Sequence, residues 1–331
     1  MERVEREKIK SFQQLVSSEL AELEIALEKA LRSDTPLLRD VCSYIREGKG
    51  KRIRPTVLFL AARSAGSPDG ELIPAGVAVE LIHTATLIHD DILDEHMVRR
   101  GRPSVYARWG SKTATIVGDF LYTRAFTILA SLKLYELIKI LAEVSNTICI
   151  GEILQLEQRR NLYMSEEGYI DVITKKTASL FSAACECGAI IGGEKNGNRK
   201  IFSRFGENIG VAFQITDDLY DYLGDEEKIG KPVGSDFSDG RITLPFIKAY
   251  GNAPNNVRER MIELLKVEFD RSSWPEIVSF VQNYGGVEYS IKRARDFGEK
   301  AKSYLLSIAP SIERDALEMA ADYIIDRVLS I

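Results

Sequence analysis

The chain is poor in the residues that carry soft-metal and redox chemistry: its 331 residues include four cysteines and three histidines. Cys42, Cys149, Cys185 and Cys187 contain no CxxC pair and have no histidine cluster beside them. A zinc site is therefore not expected, and the cysteines read as reduced, buried thiols of an intracellular protein. Nor is there an excess of one charge. With 44 Lys and Arg against 49 Asp and Glu, the net charge of −5 gives no support for a nucleic-acid partner. No window approaches the ~20 uninterrupted apolar residues of a membrane span. The first thirty residues are amphipathic and carry both signs; they lack the apolar stretch of a secretory signal and are too acidic for a transit peptide. The expectation is a cytoplasmic protein with no integral membrane segment. Alternating β patterns are missing as well.

What is present is helical periodicity. Between Phe12 and Arg32, Leu15, Val16, Leu20, Leu23, Leu27 and Leu31 recur near every 3.6 residues. The stretches 54–65 and 74–96 are apolar almost all the way round, as buried helices are. Helical patterns continue over 112–132, 134–160, 167–191 and 200–223, and with more surface charge over 256–269, 274–284, 287–308 and 313–330. Gly- and Pro-rich breaks separate them, but none resembles a long flexible linker. These patterns imply one all-α domain over 1–331.

Two copies of one acidic motif stand out: Asp90-Asp91-Ile92-Leu93-Asp94 and Asp217-Asp218-Leu219-Tyr220-Asp221, both DDxxD and both within apolar, helix-periodic sequence. On a helix, residues i and i+4 share a face, so Asp90 with Asp94, and Asp217 with Asp221, aim the same way. Clustered carboxylates on a largely apolar face are costly without a compensating cation. Oxygen ligands without His or Cys suit a hard ion, Mg²⁺ before Ca²⁺, and Mg²⁺ usually completes its shell with phosphates.

Cationic residues surround these motifs. Lys51 and Arg54 flank a Pro-started helix and read either as a diphosphate clamp or as surface charge. Arg99, Arg100 and Arg102 follow the first motif at a helix end, where they also complement the dipole. His83 lies two turns before Asp90 on the same face, and Gln214 three residues before Asp217. Lys176, followed by Thr177, sits in a small, apolar helix, so it either snorkels outward or points into a polar cavity. Lys231 belongs to a long charged loop after the second motif. His89 and His96 stay open between a structural and a functional reading, the structural one favoured.

The blocks GKGKRIRP at 48–55, HTATLIHDDILDE at 83–95, RRGRPS at 99–104, GEILQLE at 151–157, KTASL at 176–180 and FQITDDLYDYLGDEEKIGKPVGSDFSDGRITLP at 213–245 resemble the trans-isoprenyl diphosphate synthases, the polyprenyl synthetase family. The resemblance covers about residues 48–245. It implies a helical bundle around a central cavity, a homodimer, and a prenyltransferase. Its substrates would be isopentenyl diphosphate and an allylic diphosphate, its cofactor Mg²⁺, with three ions once substrate is bound. By the same resemblance, Asp90, Asp94 and Asp217 ligate Mg²⁺, supported by Asp91, Asp218 and Asp221. Arg99, Lys176 and Lys231 grip the allylic diphosphate, with Thr177 and Gln214 nearby. Lys51, Arg54, His83 and Arg100 hold isopentenyl diphosphate.

Thr86 lies one helical turn, roughly 5.4 Å, below Asp90, with Ala85 beside it. Both are small where short-chain members of the family commonly place an aromatic floor. The expectation is a product longer than farnesyl diphosphate, hexaprenyl to octaprenyl, with transient membrane association for its release. If Leu137, Leu141 or Ile148 forms a higher floor, the product is geranylgeranyl or geranylfarnesyl diphosphate instead. A class I terpene cyclase would have a different second metal motif and no use for Lys51 and Arg54. A non-catalytic metal-binding helical protein would leave the cations unexplained.

Overall fold

The computed structural model describes residues 9–48, 50–66, 70–194, 198–224, 233–266 and 271–329. Lys231 lies outside them. The described chain is helical almost throughout: α1 (Ser17–Ala30), α2 (Pro36–Glu47), α3 (Ile53–Ala65), α4 (Leu72–Leu93), α5 (Val105–Ser131), α6 (Tyr135–Glu157), α7 (Glu166–Ile173), α8 (Ser179–Ile191) and α9 (Asn198–Leu223). A single helical turn at Ser235–Ser238 and five longer helices follow: α10 (Leu244–Asn252), α11 (Asn255–Lys266), α12 (Trp274–Asn283), α13 (Gly286–Leu305) and α14 (Ile312–Leu329). Periodicity located most of these within a few residues. It missed α2 and α10, both of which start with Pro at the first or second position, where the missing N–H costs nothing.

Side-chain caps fix three starts, one of them at Ser311, which accepts from the Arg314 amide at 3.1 Å to open α14. Ser104 accepts from the Ala107 amide at 2.9 Å to open α5, and Ser165 from the Gly168 amide at 3.1 Å to open α7. The expectation of no β structure fails at one place among the described residues. Val98–Arg99 and Arg102–Pro103 form a two-residue antiparallel hairpin. Its loop, Arg100-Gly101, has positive φ at both positions (54° and 70°), as a type I′ turn requires.

Glycines let three central helices approach until backbones touch. A Cβ on Gly188 of α8, or on Gly192 just past its end, would stand 2.2 Å from the Leu58 or Ala62 carbonyl oxygen of α3, and one on Gly206 of α9 2.4 Å from the Phe181 carbonyl. Replacing Gly188 with Ala is therefore expected to destabilise the fold by about 1–3 kcal/mol, the usual cost of overpacking. Urea denaturation reads this directly, and an unchanged midpoint would contradict such close contact.

Two apolar clusters build the core. One gathers α1, α3, α4, α5, α6 and α8 around Phe59, Leu81 and Phe181; the other gathers α9, α10, α12 and α13 around Ile215, Phe246 and Phe280. Helix α4 has the length and composition of a membrane span, although charged residues interrupt its apolar run; most of it is buried in the bundle. Between the two clusters opens a cavity of about 1020 Å³, lined from α3, α4, α6, α7, α8, α9 and the segment after α9.

Candidate active site

Helices α4 and α9 each carry one acidic motif, and the two motifs are handled alike. The first carboxylate of each is the most open to the cavity: Asp90 and Asp217 line it, with 22% and 42% of their side chains exposed. The second is buried and hydrogen-bonded. Asp91 accepts from Arg99 at 2.9 Å, and Asp218 accepts from the Tyr169 hydroxyl at 2.6 Å and the Gln214 amide at 2.7 Å. The third is held by neighbouring chain. Asp94 accepts from Arg159 at 2.6 Å and Arg241 at 2.7 Å; Asp221 accepts from the Ser235 hydroxyl at 2.9 Å and the Asp236 amide at 3.0 Å.

Burial sets the electrostatics. It pushes the Asp90 carboxyl up to about 6 against the pull of Lys176, with Glu152 and Asp94 adding to the rise. Burial and then Asp236 push Asp218 up to about 8. Asp94 goes the other way: burial would raise it, but Arg241 and Lys176 outweigh that and hold it below the usual range.

Lys176 reaches the cavity through a break in helical regularity. Thr174–Ala178, between α7 and α8, is a π-helical turn, a feature common at functional sites. A Cβ on Gly151 of α6 would stand 2.7 Å from the Lys176 amide nitrogen, so α6 can only lie against this turn with glycine there. From the same helix Glu152 pairs with the Lys176 ammonium and Gln155 accepts from it at 2.7 Å, while Asp90 lies 3.7 Å away. Thr177 donates to Gln214 at 2.8 Å, tying this turn to α9.

A second group of cations lines the same cavity. Arg54 stacks on Phe181 with its guanidinium carbon 4.3 Å from the ring centroid, and lies 3.1 Å from His83 Nε2. Burial lowers the Arg54 guanidinium to about 10, so it stays charged at neutral pH. Burial, then Arg54 and Arg100, lower His83 well below its usual value. His83 is thus neutral, and since Arg54 can only donate, its proton sits on Nδ1. Lys51 donates to the Tyr323 hydroxyl at 3.3 Å, and Arg100 to the Gly48 carbonyl at 3.0 Å.

Most of the expected site residues thus meet in one cavity: Lys51, Arg54, His83, Thr86, Asp90, Asp94, Arg99, Arg100, Ile148, Lys176, Thr177, Gln214, Asp217 and Asp218 all line it. Asp91 and Asp221 are turned away from it into their hydrogen bonds. Ala85, Leu137 and Leu141 are packed in the core behind the wall. Several contributors were not foreseen. Glu152 and Gln155 stand in the GEILQLE block one turn apart, a legible signal. Arg241 and Asp236 lie in a loop that is conspicuous for its charge alone. Arg159, Tyr169 and Arg327, which pairs with Asp217 at 3.1 Å from α14, have no local signal, because only tertiary packing brings them in.

The sequence matches the model of a polyprenyl synthetase over residues 35–281. It is 35% identical to an octaprenyl diphosphate synthase of Haemophilus influenzae, covering 96% of this chain and 97% of that one. It is 37% identical to a short chain isoprenyl diphosphate synthase of Methanothermobacter thermautotrophicus, covering 94% and 96%. The fold superposes with a TM-score of 0.92 on a polyprenyl synthase from Caulobacter crescentus crystallised with calcium and isoprenyl diphosphate, at 32% identity over 96% of this chain and 97% of that chain. With two acidic motifs and their cationic partners lining one cavity of this helical bundle, the chain is a prenyltransferase and belongs to the polyprenyl synthetase family.

Proposed function

We propose that the whole chain, 1–331, works as one domain that condenses isopentenyl diphosphate head-to-tail and repeatedly onto an allylic diphosphate. The observation that carries this reading is the placing of Asp90 and Asp217 with Lys51, Arg54 and Lys176 around a single cavity. A terpene cyclase has no second diphosphate to bind and leaves Lys51 and Arg54 without a task.

The donor set fits Mg²⁺: carboxylate oxygens of Asp90, Asp94 and Asp217 from two facing helices, without thiolate. When bound, in three ions with the substrate, Mg²⁺ supplies charge stabilisation for the departing diphosphate. Lys176 moves its ammonium from Glu152 towards that diphosphate, joined by Arg99 and Lys231, and Thr177 and Gln214 fix the turn that carries it. Lys51, Arg54, His83 and Arg100 hold the second diphosphate so that its double bond faces the allylic carbon. Neutral His83 donates from Nδ1 or accepts at Nε2 without adding charge. The apolar walls of Ile148, Ile173, Phe181 and Phe213 exclude water, which would quench the allylic cation. The proton lost after condensation passes to the diphosphate.

We read the product as longer than farnesyl, in the hexaprenyl to octaprenyl range, because Ala85 and Thr86 place no aromatic below Asp90. Relatives of similar identity bear names from short chain isoprenyl to nonaprenyl, so the walls of this chain decide. One observation favours the shorter reading, geranylgeranyl or geranylfarnesyl diphosphate. The cavity reaches Ile148, and beyond it Leu141 and Leu137 are tightly packed. Thr86→Phe is expected to shorten the product by at least two isoprene units, and Leu141→Ala to lengthen it. Chromatographic sizing of the dephosphorylated products checks both, and a Thr86→Phe enzyme with unaltered products would remove Thr86 from the tunnel. The same reading makes the protein a homodimer, in keeping with exposed Ile116 on α5 and Ile150 and Ile153 on α6, and a cytoplasmic one that touches membranes only to release product.

A further inference from the structure

Asp94 is the most enclosed of the proposed metal ligands, with 3% of its side chain exposed, and both of its oxygens already face cations. Arg159 takes one oxygen and Arg241 the other. Arg241 also spans the site. It donates to Asp236 at 3.0 Å and to Asp239 at 2.6 Å, in the segment that Asp221 anchors to the second motif. Its guanidinium therefore touches the α4 wall and the loop from the α9 wall together. Around it, ligand atoms of Asp94, His96 and Asp239 lie within 4.8 Å of one another, a spacing that a divalent ion could span.

We propose that Arg241 is a built-in counter-cation that competes with divalent metal for Asp94 and yields when diphosphate accompanies the metal. This rests on reading Asp94 as a metal ligand. The exchange balances in charge. As Asp94 turns to the metal, Arg241 keeps Asp236 and Asp239, and the incoming diphosphate offers Arg159 and Arg241 replacement acceptors. Arginine suits the task because it cannot shed its charge and its planar fork serves three carboxylates at once. A bare ion offers no such acceptor and must displace the guanidinium unaided.

The test is Mn²⁺ binding to the full chain without substrate, followed by the electron paramagnetic resonance signal of free Mn²⁺. Arg241→Gln is expected to bind about tenfold more tightly than wild type, within the usual range for two ligands coupled through one site. Arg241→Lys, which keeps a cation but loses the fork, should fall between and decides the matter if the glutamine variant does not fold. Adding Asp94→Asn should abolish the gain. Affinity in Arg241→Gln and Arg241→Lys no tighter than wild type, while Asp94→Asn alone weakens binding, would overturn the counter-cation and leave the metal ligand standing. Indifference to Asp94→Asn in every background would instead remove Asp94 from the metal site, and the proposal with it.

Discussion

Replacing Asp90 with Asn is expected to lower kcat by about a thousandfold, the upper part of the range for removing one preorganised electrostatic contact, while leaving the metal-free fold at least as stable as before at neutral pH. Asp90 is the first carboxylate of its motif and lines the cavity. Its burial raises the carboxyl to about 6, so folding disfavours its charge. This contribution to stability is fully present below the unfolded value near 4 and is lost as pH rises through about 6. At pH 7.5 the carboxylate is thus a liability that metal and Lys176 relieve, and its neutral isostere carries no such liability. Below about pH 6 a proton competes with the metal, so wild-type activity should fall with acidification. Incorporation of labelled isopentenyl diphosphate, with thermal melting of the metal-free protein alongside, reads both halves. A kcat within tenfold of wild type would remove Asp90 from the chemistry.

Lys176→Ala should damage stability and activity for separable reasons. Glu152 has 12% of its side chain exposed and pairs with Lys176. Removing the ammonium strands that carboxylate, and breaking a buried pair from one side costs about 3–5 kcal/mol; a figure near the bottom applies here, since the pair is not fully enclosed. Activity should fall by about a hundredfold or more as the allylic diphosphate loses a cation. The double variant Glu152→Ala with Lys176→Ala separates the two effects. Stability should return to within about 1 kcal/mol of wild type, because a well-matched ion pair contributes little net, and activity should not return at all. Recovery of activity in the double variant would mean that Lys176 only neutralises Glu152.

The helices were legible because an apolar face buried in a bundle recurs at the helical period, and that period survives single-residue noise. Helices α2 and α10 escaped because they are short and begin at prolines, which read as breaks. The hairpin at 98–103 escaped because it has two residues per strand and its signal is a turn, Arg100-Gly101, rather than an alternation. For the site, helical spacing put His83 on one face with Asp90 and Gln214 near that of Asp217, and all four line the cavity, whereas for Lys176 spacing left snorkelling and a polar cavity equally open. It did not reveal that Asp91, Asp94, Asp218 and Asp221 each have a partner within the protein. Those partners, Arg99 apart, come from Arg159, Tyr169, Gln214, Ser235, Asp236 and Arg241, most of them distant in sequence. Pairing of that kind depends on which helices pack together, and no local pattern encodes it. The π turn at 174–178 is similar: it lies against Gly151, on another helix, a contact that no local pattern shows.

The most direct test is incubation of the purified protein with Mg²⁺, labelled isopentenyl diphosphate and farnesyl or geranylgeranyl diphosphate, followed by sizing of the dephosphorylated products. A ladder that extends beyond geranylgeranyl and disappears when Mg²⁺ is chelated is expected. Absence of elongation from every allylic primer, with the protein folded and the metal present, would contradict it.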